Sequence, residues 1–233
     1  MNPQIDWSAV RERVLALDEA ERRAVGLGPS AYPVFEPVLT PDEITEVEAQ
    51  YGVGLPDEYR AFLAEVGAGG PGPELRLTSL RRIGGSWGWV RDGDEAHPWL
   101  LDPGVPFVET EGWAAQQVAT LRAAGHEPTD RGQHEPTDRG EEDHHLDDYR
   151  EAFGDAGDEL WHLERGRGAI HISDDGCGMT TWLVMVGAHR GALRHRDCAL
   201  DPPFEPSVDA RGNRHSFGTW YLEWLERRER ATR

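Results

Sequence analysis

Apolar residues recur at helical spacing in several stretches of this chain, and each stretch carries its own start and stop signals. Trp7, Val10, Val14 and Leu17 line one face of a helix predicted over Asp6 to Val25, which ends at GLGPS. Thr40 is a helix N-cap, Pro41 takes the first helical position, and Glu43 completes a capping box. Ile44, Val47 and Tyr51 then form the stripe of a short acidic helix. Gly52 and Gly54 stop it, and Pro56 opens another whose Tyr59, Phe62, Leu63 and Val66 fall at i, i+3, i+4 and i+7. The two make a helical hairpin with one apolar seam, bent at GVGLP and followed by the exit GAGGPGP. The strongest amphipathic helix lies near the C-terminus, where Phe217, Trp220, Tyr221, Trp224 and Leu225 share one face. A further helix is predicted over Gly112 to Ala124.

Alternation with period two marks the strands. Glu74 to Leu80 is one. Leu160 to Leu163, Ala169 to Ser173, Thr181 to Val186 and Ala192 to Arg196 follow as an antiparallel meander joined by tight turns. Residues 29–38, with three prolines, read as an extended connector. Residues 81–107 are rich in turns and Trp. Trp87, Trp89 and Trp99 there either pack against the sheet or form an aromatic contact surface. HEPTDRG occurs twice, at 126–132 and 134–140, which reads as an expanded loop, and 125–147 is expected to be mobile with a short helix near Leu146 to Phe153. Helices at both ends around an antiparallel sheet make an α+β fold.

The hairpin also carries a recognisable combination: an acidic capped helix, Tyr-Gly-Val, then Leu-Pro-x-x-Tyr-Arg-x-Phe-Leu. In Glu48, Gly52, Leu55, Pro56, Tyr59, Phe62 and Leu63 it resembles the opening motif of the SUKH superfamily, in particular the Smi/Knr family of cell-wall-assembly regulators and their bacterial relatives. Gly187-x-x-Arg-Gly-x-Leu193 and the C-terminal helix are similar to the family's later part, so the resemblance covers about 39–80 and 168–228. The loop between, SDDGCG, departs from the family's Gly-Asp-Gly type. The resemblance implies an antiparallel or mixed sheet flanked by the helical hairpin and a C-terminal helix. Residues 1–38 would then be an N-terminal helix and connector, and 39–233 a SUKH-like domain with an acidic insertion near 125–147. It further implies a domain that binds another protein, bacterial members often being immunity proteins against secreted toxins.

Charge narrows the partner. The net charge of −19 disfavours unaided binding to nucleic acid or an anionic membrane and favours a basic protein, or simply keeps the chain soluble. There is no Lys, which excludes a P-loop or Schiff-base lysine. Two cysteines, no apolar run of membrane length and an N-terminus without a signal-peptide core point to a cytoplasmic protein. Oligomeric state is not set by the sequence.

Candidate chemistry is sparse. His126, His134, His144 and His145 sit among acidic residues, but two arise from the duplication and the setting offers no rigid tetrahedron; no metal or other cofactor is expected. Asp174, Asp175 and Cys177 share one turn, where Asp-Gly is ordinary turn chemistry and Cys177 needs a base such as His171 or His195 to become a nucleophile. With no hydrolase or nucleotide motif present, the chain is expected not to be an enzyme. The expectation is a stoichiometric binder, an immunity protein that docks on a basic toxin domain through Trp87, Trp89, Asp92, Asp94, Asp174 and Asp175. Its rivals are a scaffold with several partners and a metal- or thiol-dependent enzyme.

Overall fold

Asp6 opens the first helix, its carboxylate accepting from the Ala9 N–H at 3.0 Å, and α1 runs Trp7–Ala24 with the expected Trp7, Val10, Val14 and Leu17 buried. The computed structural model describes residues 5–73, 76–91, 102–105, 107, 113–128, 153–157, 167–176, 178–197 and 204–232. The capping box forms as the sequence predicts. Thr40 Oγ1 accepts from the Glu43 N–H at 3.2 Å, and Glu43 Oε2 accepts from the Thr40 N–H at 2.8 Å, at the head of α2, Pro41–Tyr51. Gly52 closes α2 in the left-handed conformation (φ 64°), a region that disfavours side chains with a Cβ. α3 follows as Asp57–Glu65 with Tyr59, Phe62 and Leu63 buried.

Bonds from the Thr40 N–H, and then from its hydroxyl, hold the Glu43 carboxyl below its usual range. A lowered carboxyl contributes stability above its unfolded pKa, and that contribution is lost as pH falls through the folded one. Thr40→Ala should therefore cost about 1 kcal/mol at neutral pH. The deficit relative to wild type should shrink at about pH 3, read from urea midpoints at the two pH values.

The strand predicted over Glu74 to Leu80 is broken. β1 (Arg76–Leu77) and β2 (Ser79–Ile83) belong to different sheets. The break is at Thr78, whose N–H and hydroxyl both turn to β4, donating to the Ile172 and His171 carbonyls at 2.9 Å each. β2 pairs with β3 (Ser86–Val90) in a hairpin turning at Gly84–Gly85, inside the stretch expected to be mainly turns. α4, Trp113–Ala123, matches its predicted helix.

The meander is present as β4 (Ala169–Gly176), β5 (Met179–Val184) and β6 (Leu193–Asp197). With β1 and β7 (Glu205–Pro206) on its edges, the sheet has the order β1-β4-β5-β6-β7 and every neighbouring pair is antiparallel. The last helix, α5, covers Phe217–Ala231. Ile170, Leu183 and Leu193 on one face of the sheet join a single core with α1, α2, α3 and α5. At its centre Phe62 meets Trp7, Phe217 and Tyr221 with ring centroids 5.6, 5.1 and 5.0 Å apart. The N-terminal helix is thus part of the same core as the hairpin. The predicted strand Leu160 to Leu163, the duplicated HEPTDRG stretch beyond Pro128, and all but Phe153 of the short helix expected near Leu146 to Phe153 lie outside the described residues.

Candidate functional site

Three places on this scaffold gather polar side chains, and two of them were only partly visible in the sequence. The first lies where β3 leaves the core beside the β4–β5 turn. Arg91, one residue past β3, pairs with Asp174 on β4 at 2.6 Å, and Asp174 also accepts from the Gly176 N–H at 3.2 Å. Beside it Asp175 Oδ2 accepts from the Thr181 hydroxyl at 2.6 Å, and the Thr181 hydroxyl oxygen lies 2.9 Å from His195 Nδ1. Among the described residues, Asp175 Oδ1 is buried without a hydrogen-bond partner. The structure therefore brings the residue after β3 beside Asp174 of the predicted group. Both carboxylates already hold partners within the chain. Asp92, Asp94, Cys177 and Cys198 lie outside the described residues.

Trp87 and Trp89 are placed differently from the expected exposed anchors. They are 6% and 1% exposed, and both rings belong to the core. Trp89 donates from Nε1 to the Tyr59 hydroxyl at 2.9 Å and lies 5.0 Å from the Tyr51 ring. Burial pushes the Tyr59 hydroxyl well above its ordinary pKa, with the Trp89 bond acting against it. Trp87 is fixed by its backbone: Gln50 exchanges two 2.7 Å bonds with its N–H and C=O, and the Tyr51 hydroxyl donates to the same carbonyl at 2.7 Å. The Arg82 guanidinium covers the Trp87 ring at 4.6 Å and pairs with Glu46. The alternation of β3 sends its large side chains inward, and the cation and α2 close over them.

The second place joins the two halves of the family-like sequence. The Glu48 carboxylate accepts from the Leu55 N–H at 3.0 Å, gripping the GVGLP corner from α2. From the other side Arg190 donates to the carbonyls of Gly54 at 3.2 Å and Leu55 at 2.6 Å. Its signal in the sequence was the Gly-x-x-Arg-Gly-x-Leu turn, whose partner only the fold reveals. Arg190→Ala leaves two carbonyls without a charged donor at a half-exposed site and should cost about 1–2 kcal/mol. Arg190→Lys should recover little in a thermal melt, because an ammonium does not reproduce the planar fork.

The third is a hydroxyl–imidazole–carboxylate chain that sequence reasoning missed. Ser207 Oγ and His215 Nδ1 are 2.9 Å apart, as are His215 Nε2 and Glu223 Oε2. Its residue types match a hydrolytic relay, but Ser207 is 2% exposed, so no substrate carbonyl reaches its hydroxyl. The chain fastens the segment after β7 to α5. Its residues are spaced eight apart, a spacing with no motif behind it.

The outer face of the sheet carries a buried row, His171, Trp182 and Arg194, paired across β4, β5 and β6. Burial, and then the charge of Arg214, push the Arg194 guanidinium down to about 10, so it stays cationic at neutral pH. The His171 ring lies 5.3 Å from that of Trp182, tilted by 45°, away from the Asp175 cluster on the other face. His126 is exposed; His134, His144 and His145 lie outside the described residues. Among the described residues no three His, Cys, Asp or Glu side chains are placed to hold a metal ion, and no helix is long and apolar enough to cross a membrane. Glu48, Gly52, Leu55, Pro56, Tyr59, Phe62 and Leu63 serve as corner, cap and core, all within the helical hairpin.

Comparison with family models matches residues 38–187 to the SMI1 / KNR4 family (SUKH-1). Comparison with curated proteins, and separately with solved structures, finds no match.

Proposed function

The chain belongs to the SMI1 / KNR4 family (SUKH-1), and from that membership we propose that it is a protein-binding module of the bacterial immunity type, acting in the cytoplasm without catalysis. It binds one basic toxin domain stoichiometrically and works by covering the cleft in which that domain acts. The observation that carries this reading is the family match over 38–187, with the matched hairpin intact in the fold and Arg190, just past the match, holding its corner. Charge supports the choice of partner. The chain carries −19 overall, and α2 and α3 hold seven acidic side chains against the lone Arg60. Asp92 and Asp94 follow Arg91 in the sequence and add to that acidity. Such a field speeds encounter with a basic surface, while affinity comes from desolvated contacts.

The test is capture from the native host with the full chain as bait, followed by association kinetics on whatever single basic protein is recovered. Raising the salt from about 50 to about 500 mM should slow association by roughly tenfold or more and leave dissociation nearly unchanged. Salt-insensitive association removes electrostatic steering. Many unrelated partners at comparable affinity favour a scaffold and overturn the immunity reading.

A further inference from the structure

Among the described residues, exposed large hydrophobic side chains concentrate in one part of the chain. Leu15, Val25, Leu27, Tyr32 and Val38 lie there, against Met179 and Val208 elsewhere. All but Val38 fall before residue 38, outside the family-matched region. The geometry shows why they are together. α1 ends in a Schellman turn, with Gly26 at φ 75°, the Gly26 N–H donating to the Arg23 carbonyl at 3.1 Å and the Leu27 N–H to the Arg22 carbonyl at 2.8 Å. The chain then doubles back along α1, tied at two points. Arg22 donates to the Gly28 carbonyl at 2.9 Å, and Arg11 lies 5.6 Å from the Phe35 ring.

Arg11, Leu15, Asp18 and Arg22 share one face of α1 by their spacing. Leu15 therefore sits between the two ties, under the returning connector, and is still 37% exposed. Leu27 at 56% and Tyr32 at 80% are exposed on the connector that returns along this face. Glu12, Asp18 and Glu19 flank Leu15 at i−3, i+3 and i+4, and Glu36 follows Phe35. Glu19 pairs with Arg23; no ion pair holds Glu12, Asp18 or Glu36 among the described residues. The result is an apolar strip outside the family-matched region, rimmed by three carboxylates without an ion pair among the described residues, against two guanidiniums, Arg11 and Arg22, that are turned to the Val66 and Gly28 carbonyls.

We infer that this α1–connector face, with Leu15, Leu27 and Tyr32 at its centre and Glu12, Asp18 and Glu36 on its rim, is a docking surface for a basic, amphipathic segment of a partner protein. Charge complementarity selects that occupant. A second copy of this chain would set two acidic rims against each other on molecules of −19 each. The inference rests on the protein-docking reading above and gives it a place.

The probe is a synthetic amphipathic helical peptide of Leu and Lys, compared with a Leu/Glu peptide that has the same apolar face. Both are titrated by fluorescence anisotropy onto the full chain. The Leu/Lys peptide should bind, and Leu27→Ser or Tyr32→Ser should each weaken it about tenfold. Both variants should keep the wild-type melting profile because the side chains are exposed, and Val208→Ser should bind like wild type. Glu12→Gln with Asp18→Asn should reduce binding and its salt dependence together. No binding of the Leu/Lys peptide, equal binding of the Leu/Glu peptide, or undiminished binding by Leu27→Ser and Tyr32→Ser overturns the surface. So does a concentration-dependent dimer that the same substitutions abolish, which would make a second copy the occupant. A host partner captured equally well by these variants leaves the binding function standing and removes this location. Peptide binding with no host partner does the reverse.

Discussion

Replacing Phe62 by Ala is expected to lower folding free energy by roughly 3–5 kcal/mol, the range for deleting a fully buried aromatic ring. Phe62 is 1% exposed and touches three rings from two other elements: Trp7 on α1, and Phe217 and Tyr221 on α5. These contacts join the N-terminal helix, the hairpin and the C-terminal helix at one point, so the cavity left behind has no single side chain that can move to fill it. A native state of this size holds about 5–15 kcal/mol, so the loss is a large share of the total. Urea unfolding followed by tryptophan fluorescence reads it as a lower midpoint. Partner binding per folded molecule should be unchanged, because the ring never reaches the surface. A fully folded Phe62→Ala protein that loses binding would contradict the core assignment.

The same residues show what a one-dimensional reading reaches. Helices were legible because their information is local: Asp6 and Thr40 as caps, and stripes such as Tyr59–Phe62–Leu63, are set by neighbours within a turn or two. The β4–β5–β6 meander was legible for the same reason, with short turns between alternating strands. The break at Thr78 was not. Whether Glu74 to Leu80 runs on as one strand depends on carbonyls about ninety residues later, at His171 and Ile172, which draw Thr78 out of register. Arg190 stood in the sequence as part of a turn, but its partners Gly54 and Leu55 come from the other half of the chain. Ser207, His215 and Glu223 form their chain only because the segment after β7 folds back on α5. The exposed face of α1 was hidden for another reason: composition counts Leu15, Leu27 and Tyr32 as apolar without saying which side of the helix the connector leaves open.

Trp89→Ala should cost about as much as the Phe62 change, roughly 3–5 kcal/mol, and by a different route. Its indole is 1% exposed, lies 5.0 Å from the Tyr51 ring and donates to the Tyr59 hydroxyl at 2.9 Å. Removing it opens a cavity between the β2–β3 hairpin and the α2–α3 hairpin and strips a buried hydroxyl of its partner, an added penalty of about 1–3 kcal/mol when no water enters. Tyr59→Phe isolates that second part. It keeps the ring and leaves only the Trp89 N–H unpaired, so it should cost about 1–2 kcal/mol, and Trp89→Ala should cost clearly more. Thermal melts of the two single variants and the double variant close the cycle, and the double should cost less than the sum, since both changes remove one shared bond. An interface anchor would behave otherwise, with Trp89→Ala melting like wild type and failing only to bind. A Trp on a strand is ambiguous in sequence because packing and recognition use the same side chain; its partner decides, and here the partner is the hydroxyl of Tyr59, within the family's own hairpin.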